Sequence, residues 1–172
     1  NIYHDPETRK NSISFRGNLH RLALKLLEDG ENDKAEEILD LSLKKIPIQY
    51  FGFYSLLEPY ISTYYKLEKF KKGDQLFESL AKKNIQNLNY YSELSKSKGS
   101  RFSIYTYAEN IITDSERYRS LVESVLNSNN IDIKGKAIED YVKSTSFVKE
   151  LYGDYEYYTL LTPFLEDLYK SK

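Results

Sequence analysis

Apolar side chains along this chain recur every three to four residues, the period of an amphipathic α-helix. The first such stretch carries apolar residues from Ile13 to Leu26 and stops before Gly30, which can take the left-handed C-cap conformation. Asp5-Pro6-Glu7 marks its start, with Asp as N-cap and Pro at the first helical position. No segment sustains the two-residue alternation of a strand, so the pattern predicts an all-α fold.

The second apolar stretch begins after Gly30, is capped by Asn32 or Asp33, and ends at Pro47. Together the two stretches predict an antiparallel hairpin over residues 16–49. In a frame of about 34 residues starting at Arg16, seven positions hold residue types typical of a tetratricopeptide repeat. They are Leu22, Ala23, Gly30, Ala35, Leu39, Ser42 and Pro47, while Leu19 replaces the usual Trp. We expect the small residues to allow close helix approach and the large ones, Leu22 among them, to fill the layer to the next hairpin.

A second, degenerate hairpin is predicted over 54–83, after a lengthened aromatic connection at 49–53. It departs from the repeat at Glu68, where the turn glycine is expected, and at Gly73, where Ala is expected. The remaining helices are predicted around 85–98, 101–113, 115–128, 136–152 and 154–170. With a leader helix over 1–15, residues 1–172 are predicted to form one domain of about eight helices.

The breaks between the later helices are predicted from turn-forming and capping residues. They are Gly99, the Thr113–Glu116 capping-box spacing, the polar stretch 127–135 and Gly153. The break near residue 114 is compatible with a kink alone.

Composition narrows the functional classes. The chain is 40% hydrophobic and 30% charged, as in soluble globular domains, and its net charge of −1 argues against a general nucleic-acid binder. It has no Cys, which excludes disulfides and thiolate chemistry but leaves the cellular compartment open. It has no Met either, so we expect a processed product or a part of a longer protein.

Residues suited to catalysis or metal binding do not form a recognisable set. The two histidines, His4 and His20, lack metal-ligand spacing, and Gly135-Lys136 lacks the rest of a phosphate-binding loop. The acidic pairs Asp114/Glu116 and Asp154/Glu156 are interpreted as helix caps and dipole partners. No serine stands in a nucleophile elbow. The sequence therefore predicts no metal, no cofactor and no catalytic residue, and hence no enzyme in this segment.

The concave groove of the two hairpins is the first candidate binding site. Repeat positions 5, 9 and 12 place six residues there: His20, Leu24, Leu27, Glu58, Ser62 and Tyr65. Because the first helix is apolar on all sides, something must cover it. A partner or another helix of the same chain would do so, and the number of further helices favours the chain itself.

Aromatic residues form the second candidate surface, since 17 residues are Tyr and none is Trp. Tyrosine binds sugars and peptides through its ring and hydroxyl, but it also replaces Phe in helix packing, which is the favoured interpretation. Two clusters lie beside helix breaks: Tyr50, Phe51, Phe53 and Tyr54, and Tyr152, Tyr155, Tyr157 and Tyr158. The spacing of the last three predicts that at least one ring points to solvent or to a partner.

Four short segments carry a resemblance to a known family: Asp5-Pro6-Glu7-Thr8-Arg9-Lys10, Phe15-Arg16, Arg21-Leu22-Ala23 and Tyr64-Tyr65-Lys66-Leu67. Over roughly residues 1–130 the chain resembles the C-terminal soluble region of multipass membrane proteins common in Bacteroidetes, a family of unknown function. In that family an N-terminal bundle related to protein O-mannosyltransferases precedes a tetratricopeptide-like tail. The resemblance implies a membrane tether, a periplasmic location, and glycosyl-transfer chemistry confined to the membrane part.

These observations lead to one functional expectation and two alternatives. We expect a non-catalytic docking domain of a membrane-anchored, glycosyltransferase-like protein, which binds a protein or peptide partner. The alternatives are a free-standing soluble peptide-binding scaffold and a carbohydrate-binding domain that uses the tyrosine clusters.

Overall fold

The computed structural model describes residues 6–52, 54–96, 107–155, 157–159 and 162. Within these ranges every regular element is helical, which confirms the predicted all-α, helical-hairpin class. The elements are α1 (Pro6–Glu28), α2 (Asn32–Lys45), α3 (Ile48–Phe51), a 3-10 turn (Tyr54–Leu57), α4 (Glu58–Lys66), α5 (Phe70–Lys96), α6 (Ala108–Val125), α7 (Ile131–Thr145) and α8 (Phe147–Tyr152).

The chain forms two compact units, Asn1–Asp74 and Gln75–Lys172. The first contains α1 to α4 and the start of α5, and the second contains the rest of α5 and α6 to α8. The single domain expected over 1–172 stays a prediction.

The described part of helix α1 runs without interruption from Pro6 to Glu28, while the predicted N-cap Asp5 lies outside the described ranges. The expected boundary between a leader helix over 1–15 and a hairpin helix from 16 is therefore wrong. The reason is that the buried face of α1 continues through this point, with Ser12 and Arg16 buried on the same side as Ala23.

The α1–α2 turn has the hydrogen bonds of a Schellman motif. Gly30, at φ 79°, donates to the carbonyl of Leu27, and Glu31 donates to that of Leu26, at 3.1 and 2.8 Å. The N-cap of α2 is Glu31, not Asn32 or Asp33, and it makes no side-chain cap bond. Ala35 is fully buried, which allows the close approach predicted for this hairpin.

The α4–α5 turn repeats this geometry without a glycine. Glu68 takes the left-handed conformation, at φ 59°, and donates to Tyr65, while Lys69 donates to Tyr64 at 2.8 Å. The departure at Gly73 also has a physical cause, because a Cβ there would lie 2.3 Å from Cε1 of the Tyr65 ring. Both residues that depart from the repeat thus occur within an ordinary hairpin.

Helix α5 continues to Lys96, so the predicted separation of a helix ending at 83 from another starting at 85 is wrong. Polar residues near this point do not cap a helix end. The side chain of buried Asn84 donates to the carbonyl of Leu80, 3.0 Å away and one turn earlier. The Asn84 side chain is therefore hydrogen-bonded within the helix, which continues past it.

Three predicted boundaries in the second unit are also wrong. Helix α6 has no break near 114, because the Ser115 hydroxyl bonds the Ile111 carbonyl at 2.7 Å inside the helix. Helix α7 starts at Ile131, since the Asn130 side chain caps it by accepting from the amides of Asp132 and Ile133. Gly135 lies within this helix. A predicted helix over 136–152 is therefore split between α7 and α8.

The predicted break at Gly153, which has φ 96°, is confirmed. Residues 101–106 of the predicted helix 101–113, most of the predicted helix 154–170, and Gly99 fall outside the described ranges, whereas residues 108–113 belong to α6.

Candidate functional site

The groove residue His20 is covered by α4 of the same chain. Its ring stacks on Tyr60 with centroids 5.0 Å apart, and its Nε2 lies 2.9 Å from Oγ1 of Thr63. The Thr63 hydroxyl gives its proton to the Pro59 carbonyl at 2.9 Å, so His20 acts as the donor. Burial lowers the pKa of His20, which favours the neutral ring in this position.

The other predicted groove residues do not line an open channel together. Tyr65 is buried, with its ring on Phe70 at 5.8 Å and its hydroxyl donating to Asp74 at 2.8 Å. Four of the six are half-buried: Leu24, Leu27, Glu58 and Ser62. For His20 and Tyr65 the cover comes from the chain itself, as the sequence favoured.

Buried hydrogen bonds join α1, α2 and α4. The Tyr60 hydroxyl donates to the Arg16 carbonyl on α1, and Ser42 on α2 donates to the same hydroxyl, each at 2.9 Å. Arg16, only 1% exposed, donates to the carbonyls of Ile46 and Gly52 and so holds the connection between the hairpins.

An ionic network continues this interface to the start of α5. Asp40 accepts from the Tyr64 hydroxyl at 2.8 Å and from Lys72. Glu36 pairs with Lys69 at 2.6 Å and with Lys72 at 2.7 Å. These hydrogen bonds, that of Lys69 first, lower the pKa of Glu36. The network is structural, because every charge in it has a partner.

One face of α1 is apolar and exposed. It consists of Phe15, Leu19, Leu22 and Leu26 and is called the α1 face below. Phe15 is 60% exposed and Leu22 45%, while the other two are half-buried. The prediction that Leu22 fills the layer to the next hairpin is therefore wrong, because the layer toward α4 is filled by other residues of α1, such as Arg16 and His20.

The equivalent face of α4 is covered. In the repeat frame Leu57, Tyr60 and Tyr64 correspond to Leu19, Leu22 and Leu26, and all three are almost fully buried. Their cover includes α1 and α2, which contact Tyr60 and Tyr64 as described above. By this equivalence, the α1 face is the position at which a preceding helix would pack.

The aromatic clusters do not form a joint platform of rings. Tyr155 is 81% exposed and Tyr158 is also exposed, as the spacing predicted, but Tyr157 between them is buried. The Lys149 ammonium lies 5.4 Å from the centre of the Tyr158 ring.

In the other cluster Tyr50 is exposed and meets half-buried Phe51 edge-on at 5.3 Å. Phe53 and the side chain of Tyr54 lie outside the described structure.

A cleft of about 430 Å³ lies within the second unit, and the sequence did not predict it. It is lined by six apolar or aromatic residues, Phe77, Ala81, Ile85, Tyr118, Ile133 and Ala137, and by five polar or charged ones, Glu78, Lys82, Gln86, Lys136 and Asp140. Burial and then the charge of Asp140 raise the pKa of Tyr118. The cleft depends on α5 and α7, whose predicted boundaries are wrong, so no sequence pattern indicates it.

The acidic pairs have ordinary structural partners. Asp114 lies inside α6 rather than at a helix start, and it accepts from Arg117 at 3.2 Å, so its predicted capping role is wrong. Asp154 pairs with Lys149 at 3.1 Å, whereas Glu156 and His4 lie outside the described ranges. Among the residues described, no three His, Asp or Glu side chains group as metal ligands do.

The helices described are also too short or too polar to cross a bilayer. Comparisons with protein-family models, with curated proteins and with solved structures found no match to this chain.

Proposed function

We propose that this chain is a docking domain built on tetratricopeptide-like hairpins, and that it binds an amphipathic helix of a protein partner on the α1 face. One observation carries the proposal. The α1 face is exposed, whereas the equivalent face of α4 is buried against helices of the preceding hairpin. Two equivalent surfaces are thus present: the face of α4 is covered by helices, and the α1 face is not.

The spacing of the α1 face suits a helical partner. Phe15, Leu19, Leu22 and Leu26 follow one another at intervals of four, three and four residues, which aligns them along one side of the helix. Amphipathic helices bind such surfaces through their own residues at the same intervals. Burial of exposed apolar side chains contributes roughly 25 cal/mol per Å², so Phe15 and Leu22 would supply most of the affinity.

We further propose that the domain is tethered to a membrane, on the periplasmic side, as part of a glycosyltransferase-like protein. This proposal is supported by the resemblance of the segments around Pro6, Phe15, Leu22 and Tyr64. The reading frame upstream of Asn1 tests it directly. A multipass hydrophobic region there is the expected result. If no such region precedes Asn1, the free-standing scaffold replaces the membrane proposal.

Carbohydrate binding is kept as a second candidate because Tyr155 is largely exposed and Tyr158 lies next to Lys149. Exposed rings stack on the apolar faces of sugars. A glycan array tests this candidate, with Tyr155→Ala and Tyr158→Ala expected to abolish any signal. Tyr157 is buried, so its replacement would act through folding and would not be informative. A blank array with the unaltered chain ends this candidate.

The docking proposal is tested by selecting helical peptides from a displayed library against the whole chain. We expect amphipathic sequences with apolar residues at intervals of three and four to be enriched. Their affinity should fall at least about tenfold for the double variant Phe15→Glu, Leu22→Glu, because charges would then oppose the apolar contact. Ile131→Glu is the matched control, since Ile131 is 80% exposed and lies in the other unit.

Failure to enrich any peptide would remove the docking function. The same conclusion would follow if the selected peptides bound the double variant as tightly as the unaltered chain.

A further inference from the structure

The α2–α4 interface shows what a helix must offer in order to pack on this type of face. On α4 the hydroxyl of Tyr60 accepts from Ser42, and the hydroxyl of Tyr64 donates to Asp40, at 2.9 and 2.8 Å. Tyr60 and Tyr64 are nearly inaccessible to solvent. The polar residues of α2 are therefore matched to tyrosine hydroxyls, Ser42 in a buried contact and Asp40 at its edge, where 46% of the Asp40 side chain is exposed.

The α1 face lacks those hydroxyls. Leu22 and Leu26 stand at the repeat positions of Tyr60 and Tyr64. A carboxylate or hydroxyl of a docked helix would lie against aliphatic carbon at these two positions. Burying a polar group without a hydrogen-bond partner is unfavourable, and burying a carboxylate is more so.

We infer that the helix bound by the α1 face is an amphipathic helix of a protein partner, apolar at the two positions where α2 carries Asp40 and Ser42. This inference rests on the proposed docking function and specifies its partner. The partner approaches as α2 approaches α4, and it presents aliphatic or aromatic side chains to Leu22 and Leu26.

The same comparison argues against a second copy of this chain as the occupant. Stacked in the repeat arrangement, α2 of another copy would bring Ser42 against Leu22 and Asp40 against Leu26. In their own chain both side chains already bond Tyr60 and Tyr64. The α2 surface of another copy is therefore already covered by its own α4 and is not free to pack on the α1 face.

Two synthetic peptides test the inference, each conformationally locked as a helix and fluorescently labelled. The first has the sequence of residues 31–46, and the second has the same sequence with Asp40→Leu and Ser42→Leu. Fluorescence anisotropy with the whole chain gives both affinities. We expect the second peptide to bind at least about tenfold more tightly, since it places no unpaired polar group against Leu22 and Leu26.

A reciprocal change in the chain gives the control. The double variant Leu22→Tyr, Leu26→Tyr recreates the two hydroxyls of the α4 face, so its preference should shift toward the unaltered peptide.

Equal affinities of the two peptides for the unaltered chain, or no shift in the tyrosine variant, would overturn the inference. So would the absence of binding by either peptide, because the α2–α4 interface would then be the wrong template. In each of these cases the docking function itself is still decided by the library selection, so the two failures can be told apart.

Discussion

At the scale of single residues, several tyrosines pack inside this protein. Tyr60, Tyr64, Tyr118 and Tyr141 are almost completely buried. Their rings contribute apolar area, and the hydroxyls of Tyr60 and Tyr64 reach partners on neighbouring helices. This supports the interpretation that the high tyrosine content serves packing, although the sequence could not show which hydroxyls would be paired.

Removing the hydroxyl group should have opposite effects on stability at Tyr118 and at Tyr60. The Tyr118 hydroxyl is buried and has no hydrogen-bond partner among the described residues, so Tyr118→Phe should leave stability unchanged or raise it by up to about 1 kcal/mol. Tyr60→Phe should cost about 1–3 kcal/mol, because Ser42 and the Arg16 carbonyl lose their shared partner. Urea unfolding of both variants measures the difference. Equal losses would contradict the hydrogen-bond assignment.

Glu68 predicts a stabilising substitution at a turn. A residue with a Cβ is strained at φ 59°, whereas glycine is not. Glu68→Gly should raise the free energy of unfolding by about 0.5–1 kcal/mol, after allowance for the greater freedom of glycine in the unfolded chain. Thermal unfolding measures this. Lys66→Gly, two residues earlier in α4, is the control and should be destabilising. A loss of stability in Glu68→Gly would show that the side chain holds the turn.

At the scale of elements, the sequence predicted helix type well and helix ends poorly. Helices end at Gly30, Pro47 and Gly153 because of the backbone properties of glycine and proline. These properties are local, so the sequence predicts their effect. Asn84 and Ser115 look like breaks but bond the preceding turn of a continuing helix. Whether such a polar residue ends a helix or bonds within it depends on burial against other helices, which a local sequence pattern does not show.

Two helical glycines make a matched pair of predictions. Gly73→Ala should cost about 1–3 kcal/mol, because the new Cβ would overlap the ring of Tyr65, which is itself buried. Gly135→Ala should be stabilising by about 0.5–1 kcal/mol, since no atom beyond its chain neighbours and the backbone of its own helix lies within 4 Å of the added Cβ. Circular dichroism melts compare the two. If Gly73→Ala gains stability as Gly135→Ala does, the close α4–α5 approach is incorrect.

The α1–α2 contact predicts a second contrast. Ala35 is fully buried, and Ala35→Leu should overpack its site at a cost of about 1–3 kcal/mol. The Lys34 side chain is 62% exposed and pairs only with exposed Glu31, so Lys34→Leu should change stability by less than about 0.5 kcal/mol. Denaturant titration of both variants tests the register of the hairpin. Similar results for the two would mean that the register is shifted.

At the scale of the whole molecule, acid should weaken folding through Glu36. Its pKa is lowered by Lys69 and Lys72, so its contribution is complete above the ordinary value of 4.5 and is lost as pH falls through the folded value. Glu36→Gln should therefore be less stable by about 1 kcal/mol at neutral pH. The difference from the unaltered chain should shrink at pH values below 4.5. Urea titrations across pH measure this gap, and a gap that is constant from pH 7 to pH 3 would exclude the linkage.

The candidate sites could be predicted from the sequence only in part, because their surfaces depend on how the helices pack together. The repeat positions identified His20 and Tyr65 as groove residues, but only the packed hairpins showed that α4 and α5 occupy them. The α1 face was assigned to the interior because the pattern gives apolar positions without saying which helix precedes them. The cleft beside Tyr118 required the correct extents of α5 and α7.

Glu68 also bears on how such chains are counted as repeats. A repeat pattern defined by residue types requires glycine at the turn, so Glu68 counts as a mismatch. The backbone at Glu68 nevertheless has the same conformation and hydrogen bonds as the backbone at Gly30. Gly30 and Glu68 have very different side chains, yet both have a positive φ. The two turns share a left-handed residue and the same pair of backbone hydrogen bonds. The torsion angle at the turn therefore identifies this type of hairpin where the residue type does not.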